Sequence, residues 1–182
     1  NQQVEVVVSG LSNAMDVKFD SKGNMYVLCR DERKVYKYPK GNFNNASKQT
    51  FVHLSNSLGG LYSMDFDAND NLIIGAENDG FYVVTSDGKA TKFAGNGKGS
   101  TDGEAGQPLT AQLIQPVAIV VDKTRGDIYF TDPYNHKVRR IRPGAKGYED
   151  ATISTVAGTG TGGKQDGDGS VAQLKMPHGL AM

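Results

Sequence analysis

The residue types in this chain that are suited to chemistry are two glycine runs, two histidines and several carboxylates. Gly95-x-Gly97-x-Gly99 and Gly158-x-Gly160-x-Gly162 have the spacing of loops that hold phosphate on backbone N–H groups. A pyrophosphate site also needs a helix N-terminus, and both runs lie between segments of strand character, so nucleotide binding is not expected. Asp166-Gly167-Asp168-Gly169-Ser170 offers carboxylates at a calcium-like spacing, but no glutamate closes the loop and Asp-Gly pairs are ordinary turn formers. Asp65-x-Asp67-x-Asn69 fails the same test, because Asp70 stands where a glycine is needed. His136 and His178 carry imidazoles, which suit zinc and copper. Cys29, the single cysteine, ends the apolar run Met25-Tyr26-Val27-Leu28-Cys29 and reads as a buried thiol. Lys137, Arg139, Arg140, Arg142 and Lys146 form a basic cluster, yet 20 basic residues balance 20 acidic ones over the chain. The cluster therefore reads as a solvated strand edge, and a nucleic-acid partner is not expected.

These residues are positioned by a repeat. Ala94-Gly95-Asn96-Gly97-Lys98-Gly99, running through Asp102-Gly103 to Ala111-Gln112-Leu113 and Pro116, returns as Ala157-Gly158-Thr159-Gly160-Thr161-Gly162, then Asp166-Gly167, Ala172-Gln173-Leu174 and Pro177. The period is about sixty residues. Between the loops the pattern is strand, turn, strand: Met15–Phe19 with Met25–Cys29, Met64–Phe66 with Leu72–Ile74, and Val117–Val121 with Ile128–Phe130. Asp and Gly at the tips accept tight-turn geometry, and β-branched and aromatic residues flank them. A third strand follows in each copy at Val35–Tyr38, Phe81–Val84 and Val138–Ile141, and a fourth at Thr50–Leu54, Ala90–Phe93 and Ile153–Val156. Four antiparallel strands per repeat predict an all-β fold of propeller blades. No apolar run approaches the roughly 20 residues of a membrane-spanning helix.

The third copy carries the most specific signal. Gly126-Asp127-Ile128-Tyr129-Phe130-Thr131-Asp132 leads into Asn135-His136-Lys137-Val138-Arg139-Arg140-Ile141, and Ala172-Gln173-Leu174-Lys175-Met176-Pro177-His178-Gly179-Leu180-Ala181 opens a further repeat. These residues resemble NHL repeats, a family of β-propellers. The first and second copies are degenerate, with Asp31-Glu32-Arg33-Lys34 and Asn78-Asp79-Gly80-Phe81 in place of the asparagine-histidine segment. The resemblance implies a single partial propeller over residues 1–182. Its parts are an outer strand closing the last blade at 1–10, blades at 11–54, 55–94 and 117–157, glycine-rich loops at 95–116 and 158–177, and the start of a fourth blade at 178–182. Three blades are half of a six-bladed ring, so either a longer parent chain or a homodimer is expected to complete it. The long loop is similar to bacterial extracytoplasmic NHL proteins, some with immunoglobulin-like TIG domains, and this implies a periplasmic or cell-surface location.

Topology places one face of the blades as the site. In a four-stranded meander the loop entering strand one and the loop between strands two and three emerge together. That face gathers Arg30, Asp31, Glu77, Asn78, Asp132, Tyr134, Asn135, His136 and His178 beside the glycine-rich loops, where binding residues concentrate. Some NHL propellers are lyases that hold a metal on histidines from separate blades. Here the positions matching His178 in the other copies are Asn13, Ser63 and Pro116, so no metal, cofactor or catalytic set is expected. The expected function is a non-catalytic binding or scaffold module for a protein or carbohydrate partner. The alternative is a metal-dependent lyase or lactonase with part of its site in missing blades.

Overall fold

The computed structural model describes residue 3 and residues 5–55 and 57–182. Twelve strands form three four-stranded antiparallel sheets, each a meander in chain order. The first blade is β1 (Ala14–Phe19), β2 (Met25–Cys29), β3 (Lys34–Tyr38) and β4 (Gln49–His53). The second is β5 (Leu61–Phe66), β6 (Leu72–Ala76), β7 (Gly80–Val84) and β8 (Ala90–Ala94). The third is β9 (Ile119–Val121), β10 (Ile128–Asp132), β11 (Lys137–Gly144) and β12 (Gly147–Ala157). The last two strands run on as a long hairpin beyond the four strand residues expected for each.

The turns form for a reason visible in the sequence. Asp20 accepts from Lys22 N at 3.0 Å and Asn24 N at 2.8 Å, and its second oxygen takes Asn24 Nδ2 at 2.7 Å. Asp67 does the same with Asn69 N, Asn71 N and Asn71 Nδ2 at 2.8, 2.9 and 3.0 Å. In both hairpins an aspartate closes the tip and an asparagine four residues on completes it. The repeat extends to its irregularities. Each third strand carries a bulge against its fourth, after Val35, Phe81 and Val138, and such bulges re-aim the side chain that follows.

Two apolar clusters lie between the blades. Tyr26, Leu28, Val35 and Val52 of the first blade meet Leu61, Phe66, Leu72 and Ile74 of the second, while Ile73, Phe81 and Phe93 meet Ile119, Phe130, Ile141 and Ile153 of the third. Edge-to-face rings bridge both seams, Tyr26 with Phe66 at 5.0 Å and Phe81 with Phe130 at 4.8 Å. Gly75 sits where a Cβ would press on Pro116 and Ile119 at 3.0 Å, so a side chain there would push the third blade away. A third cluster, Met25, Val27, Cys29, Tyr36 and Tyr38, lies on the other face of the first blade under Val8, Leu11 and Phe43.

Val4, in the expected closing strand, lies outside the described residues. From Glu5 to Gly10 the chain enters no sheet; Ser9 N donates to Asn45 Oδ1, and Asn45 Nδ2 to Ser9 Oγ, both at 3.2 Å. Residues 178–182 likewise enter no sheet.

Candidate functional site

Arg30 N donates to Asn13 O, Glu77 N to Gly60 O and Thr131 N to Ala118 O, each at 3.0 to 3.1 Å, so the end of every second strand meets the start of its first. Just before each third strand stands a residue in the left-handed region: Arg33 at φ 53°, Asn78 at φ 57° and His136 at φ 54°. Each fastens the connection that leaves its own blade. Arg33 Nε donates to Leu58 O at 2.8 Å, Asn78 N donates to Ile114 O at 2.6 Å, and Met176 N donates to His136 Nδ1 at 3.2 Å.

The first glycine-rich loop is bound more deeply. Arg139 is fully buried and makes four hydrogen bonds, Nε to Asp102 Oδ1 at 2.9 Å, Nη2 to Thr101 O at 2.6 Å, and Nη1 to Gln112 O at 2.7 Å and Asp132 Oδ2 at 3.1 Å, with Nη2 also 2.8 Å from Asp102 Oδ1 as an ion pair. Asp102 also accepts from Thr155 N at 2.9 Å. Asn135 Nδ2 divides between Gly99 O and Asp132 Oδ2 at 2.7 and 2.8 Å. Arg139 is thus not part of a solvated edge. It follows the bulge in β11, and a buried guanidinium is retained where carboxylates and carbonyls satisfy it. Tyr36 and Tyr82 hold the same place in the other blades and reach back to Glu32 and Asp79.

The nine rim residues therefore divide. Asp132 and Asn135 are buried and support the first loop, while Asn78 and His136 clasp connections. His178 is exposed, its Nδ1 donating to Met176 O at 2.8 Å. Asp31 is exposed and accepts from Asn13 Nδ2 at 3.2 Å. Arg30, Glu77 and Tyr134 gather with Tyr62, which the sequence reading missed. Arg30 Cζ lies over the Tyr62 ring, 4.6 Å from its centroid, with Nη2 3.7 Å from Glu77 Oε2. Tyr62 OH and Gly60 N both donate to Glu77 Oε2 at 3.3 Å. Gly60 is required because a Cβ there would overlap the Arg30 side chain. Burial first, then the Glu77 carboxylate and the Tyr134 phenol, hold the Tyr62 phenol above its usual range, with Arg30 opposing them. A part-exposed ion pair of this length contributes at most about 1 kcal/mol, so these groups are not a structural keystone. Tyr134 is 56% exposed. The arrangement offers a cation, a carboxylate and two phenols on one patch, suited to hydrogen bonding and stacking.

Among the described residues no group of three or more histidine, cysteine, aspartate or glutamate side chains is placed to hold a metal ion.

No protein-family model matches the chain. A stretch of 84 residues, 46% of the chain, is 38% identical to the chloroplastic protein SUPPRESSOR OF QUENCHING 1 of Arabidopsis thaliana, of whose length it covers 7%. The chain is similar to a solved protein of unknown function from Bacteroides thetaiotaomicron, with TM-score 0.68 and 22% identity over 89% of this chain and 40% of that one. It is also similar to virginiamycin B lyase from Staphylococcus aureus, TM-score 0.57 and 18% identity over 78% and 40% of the two chains. A gluconolactonase from Xanthomonas campestris gives TM-score 0.57 and 14% identity over 83% and 49%. The fold is that of a β-propeller. The chain spans less than half the length of each of these solved propellers. In propeller terms the Arg30, Tyr62, Glu77 and Tyr134 patch is built by loops of all three blades and the start of one strand, on the face that carries both glycine-rich loops.

Proposed function

We propose that this propeller is a binding module that takes a protein or carbohydrate partner on its glycine-loop face, through the patch of Arg30, Tyr62, Glu77 and Tyr134. The observation that carries the reading is the division of the rim. Asp132, Asn135, Arg139 and Asp102 are consumed in fixing the first loop, whereas Tyr134 stands 56% exposed beside a part-exposed Arg30 and Glu77. Rigid loops flanking an aromatic and charged patch lower the entropy lost on binding, because the contact surface is ordered in advance. Tyrosine and arginine are also the residue types that dominate recognition energetics. The Asp132 to Ile141 segment supports a finer reading as an NHL-repeat propeller, completed by further blades of a parent chain or by a second copy. The test is a screen of the protein on glycan and peptide arrays, repeated with Arg30→Ala and Tyr134→Ser. Ligands captured by the proposed face are expected to lose at least tenfold in signal in both variants, matching removal of about 1.4 kcal/mol or more. Capture that persists unchanged in both variants would place recognition elsewhere.

A further inference from the structure

A cavity lies on the outer side of the seam between the second and third blades. Its volume is about 500 Å³, within the range of small-ligand sites. The floor is aromatic: Phe93 and Tyr148 pack at 4.6 Å between centroids with 31° between their planes, and Tyr148 is fixed by donating its hydroxyl to Asp67 Oδ2 at 3.2 Å. Val83 forms a wall, and Leu109, on the short 3-10 turn Pro108–Thr110 of the first glycine-rich loop, overhangs the mouth at 51% exposure. Two charges flank this apolar slot and they are not equivalent. Lys92 is neutralised by Asp79 at 2.8 Å, whereas the Glu149 carboxylate has no hydrogen-bond or ion-pair partner among the described residues. The uncompensated charge at the mouth is negative. From the aromatic floor, the apolar overhang and this single free carboxylate, we propose that the cavity binds a small flat aromatic amine, ring against Phe93 and Tyr148 and ammonium toward Glu149.

The chain contains no tryptophan, so the indole emission of an added probe reports its own binding. Tryptamine is the probe, with indole-3-acetate as the same ring carrying the opposite charge. Tryptamine is expected to saturate with a dissociation constant of about 1 mM, in keeping with the ligand efficiency of a ring-sized molecule. Indole-3-acetate is expected to bind about fivefold more weakly at low salt, the size of one exposed charge pair, and Glu149→Gln should erase that difference. Thr91→Phe, at an exposed cavity-lining position of β8, fills the slot and should abolish binding of tryptamine. Tryptamine-induced amide shifts in the unaltered protein should centre on Thr91, Phe93 and Leu109, which keeps the test informative if that variant does not fold. The proposal is overturned by the absence of saturable tryptamine binding, by equal affinity for indole-3-acetate, or by shifts centred elsewhere.

Discussion

Residues 95–116 and 158–177 repeat one another in sequence and in their internal hydrogen bonds, yet they are fastened to the blades by different means. Gly95 N donates to Pro108 O, Asn96 N to Ala111 O and Gln112 N to Thr101 O; Gly158 N donates to Gly169 O, Thr159 N to Ala172 O and Gln173 N to Gln165 O. These bonds lie between 2.7 and 3.1 Å in both loops. The first loop is locked by a buried guanidinium from the following blade, with Asp102 as its principal acceptor. The second is clasped from the blade before it, through Met176, whose N–H meets His136 and whose carbonyl meets His178. The difference separates two roles that a repeated sequence conflates. Glycines and local backbone bonds set a loop's shape, and a partner on the blade sets how firmly that shape is held.

The comparison can be broken most forcefully at Arg139. Arg139→Met leaves Asp102 and Asp132 without their buried counter-charge and is expected to cost about 3–5 kcal/mol in urea denaturation. A loss under about 1 kcal/mol would mean that the lock is ornamental. Next in size, Asp102→Asn removes the charge while keeping the shape, and about 1.5–3 kcal/mol should be lost. Hydrogen exchange should then quicken at Gln112 and Leu113 but not at Gln173. His136→Ala is a smaller injury, about 1 kcal/mol for one lost acceptor, confined to 158–177.

Much of this architecture was legible because hairpin tips and strand alternation are local signals. The Asp20 and Asp67 turns and the three meanders all follow from neighbours within one blade. What stayed hidden depends on partners far along the chain. Asp132 and Asn135 look like solvent-facing rim residues until Gly99, 36 residues from Asn135, is seen to receive the amide. Arg139 could have been suspected, since it stands two residues before the buried Ile141 and so shares its face of the strand. A buried arginine must find an acid, and Asp102 was in the loop that it had to reach. Tyr62 gave no such clue. It lies in the first strand of its blade between buried Leu61 and Ser63, and its meeting with Arg30 is set by the angle between blades rather than by any spacing.

Arg33, Asn78 and His136 carry one further implication, for how such a chain can grow. Each occupies the left-handed position before a third strand, and each grips the segment by which its own blade hands the chain onward. The grip differs each time: a side chain reaching a carbonyl, a backbone amide, an imidazole receiving an amide. A connector and its clasp therefore work as a pair. Gene duplication or grafting that cuts before the clasp and after the connector moves a working joint, whereas a cut between them leaves a loop with the right shape and nothing to hold it.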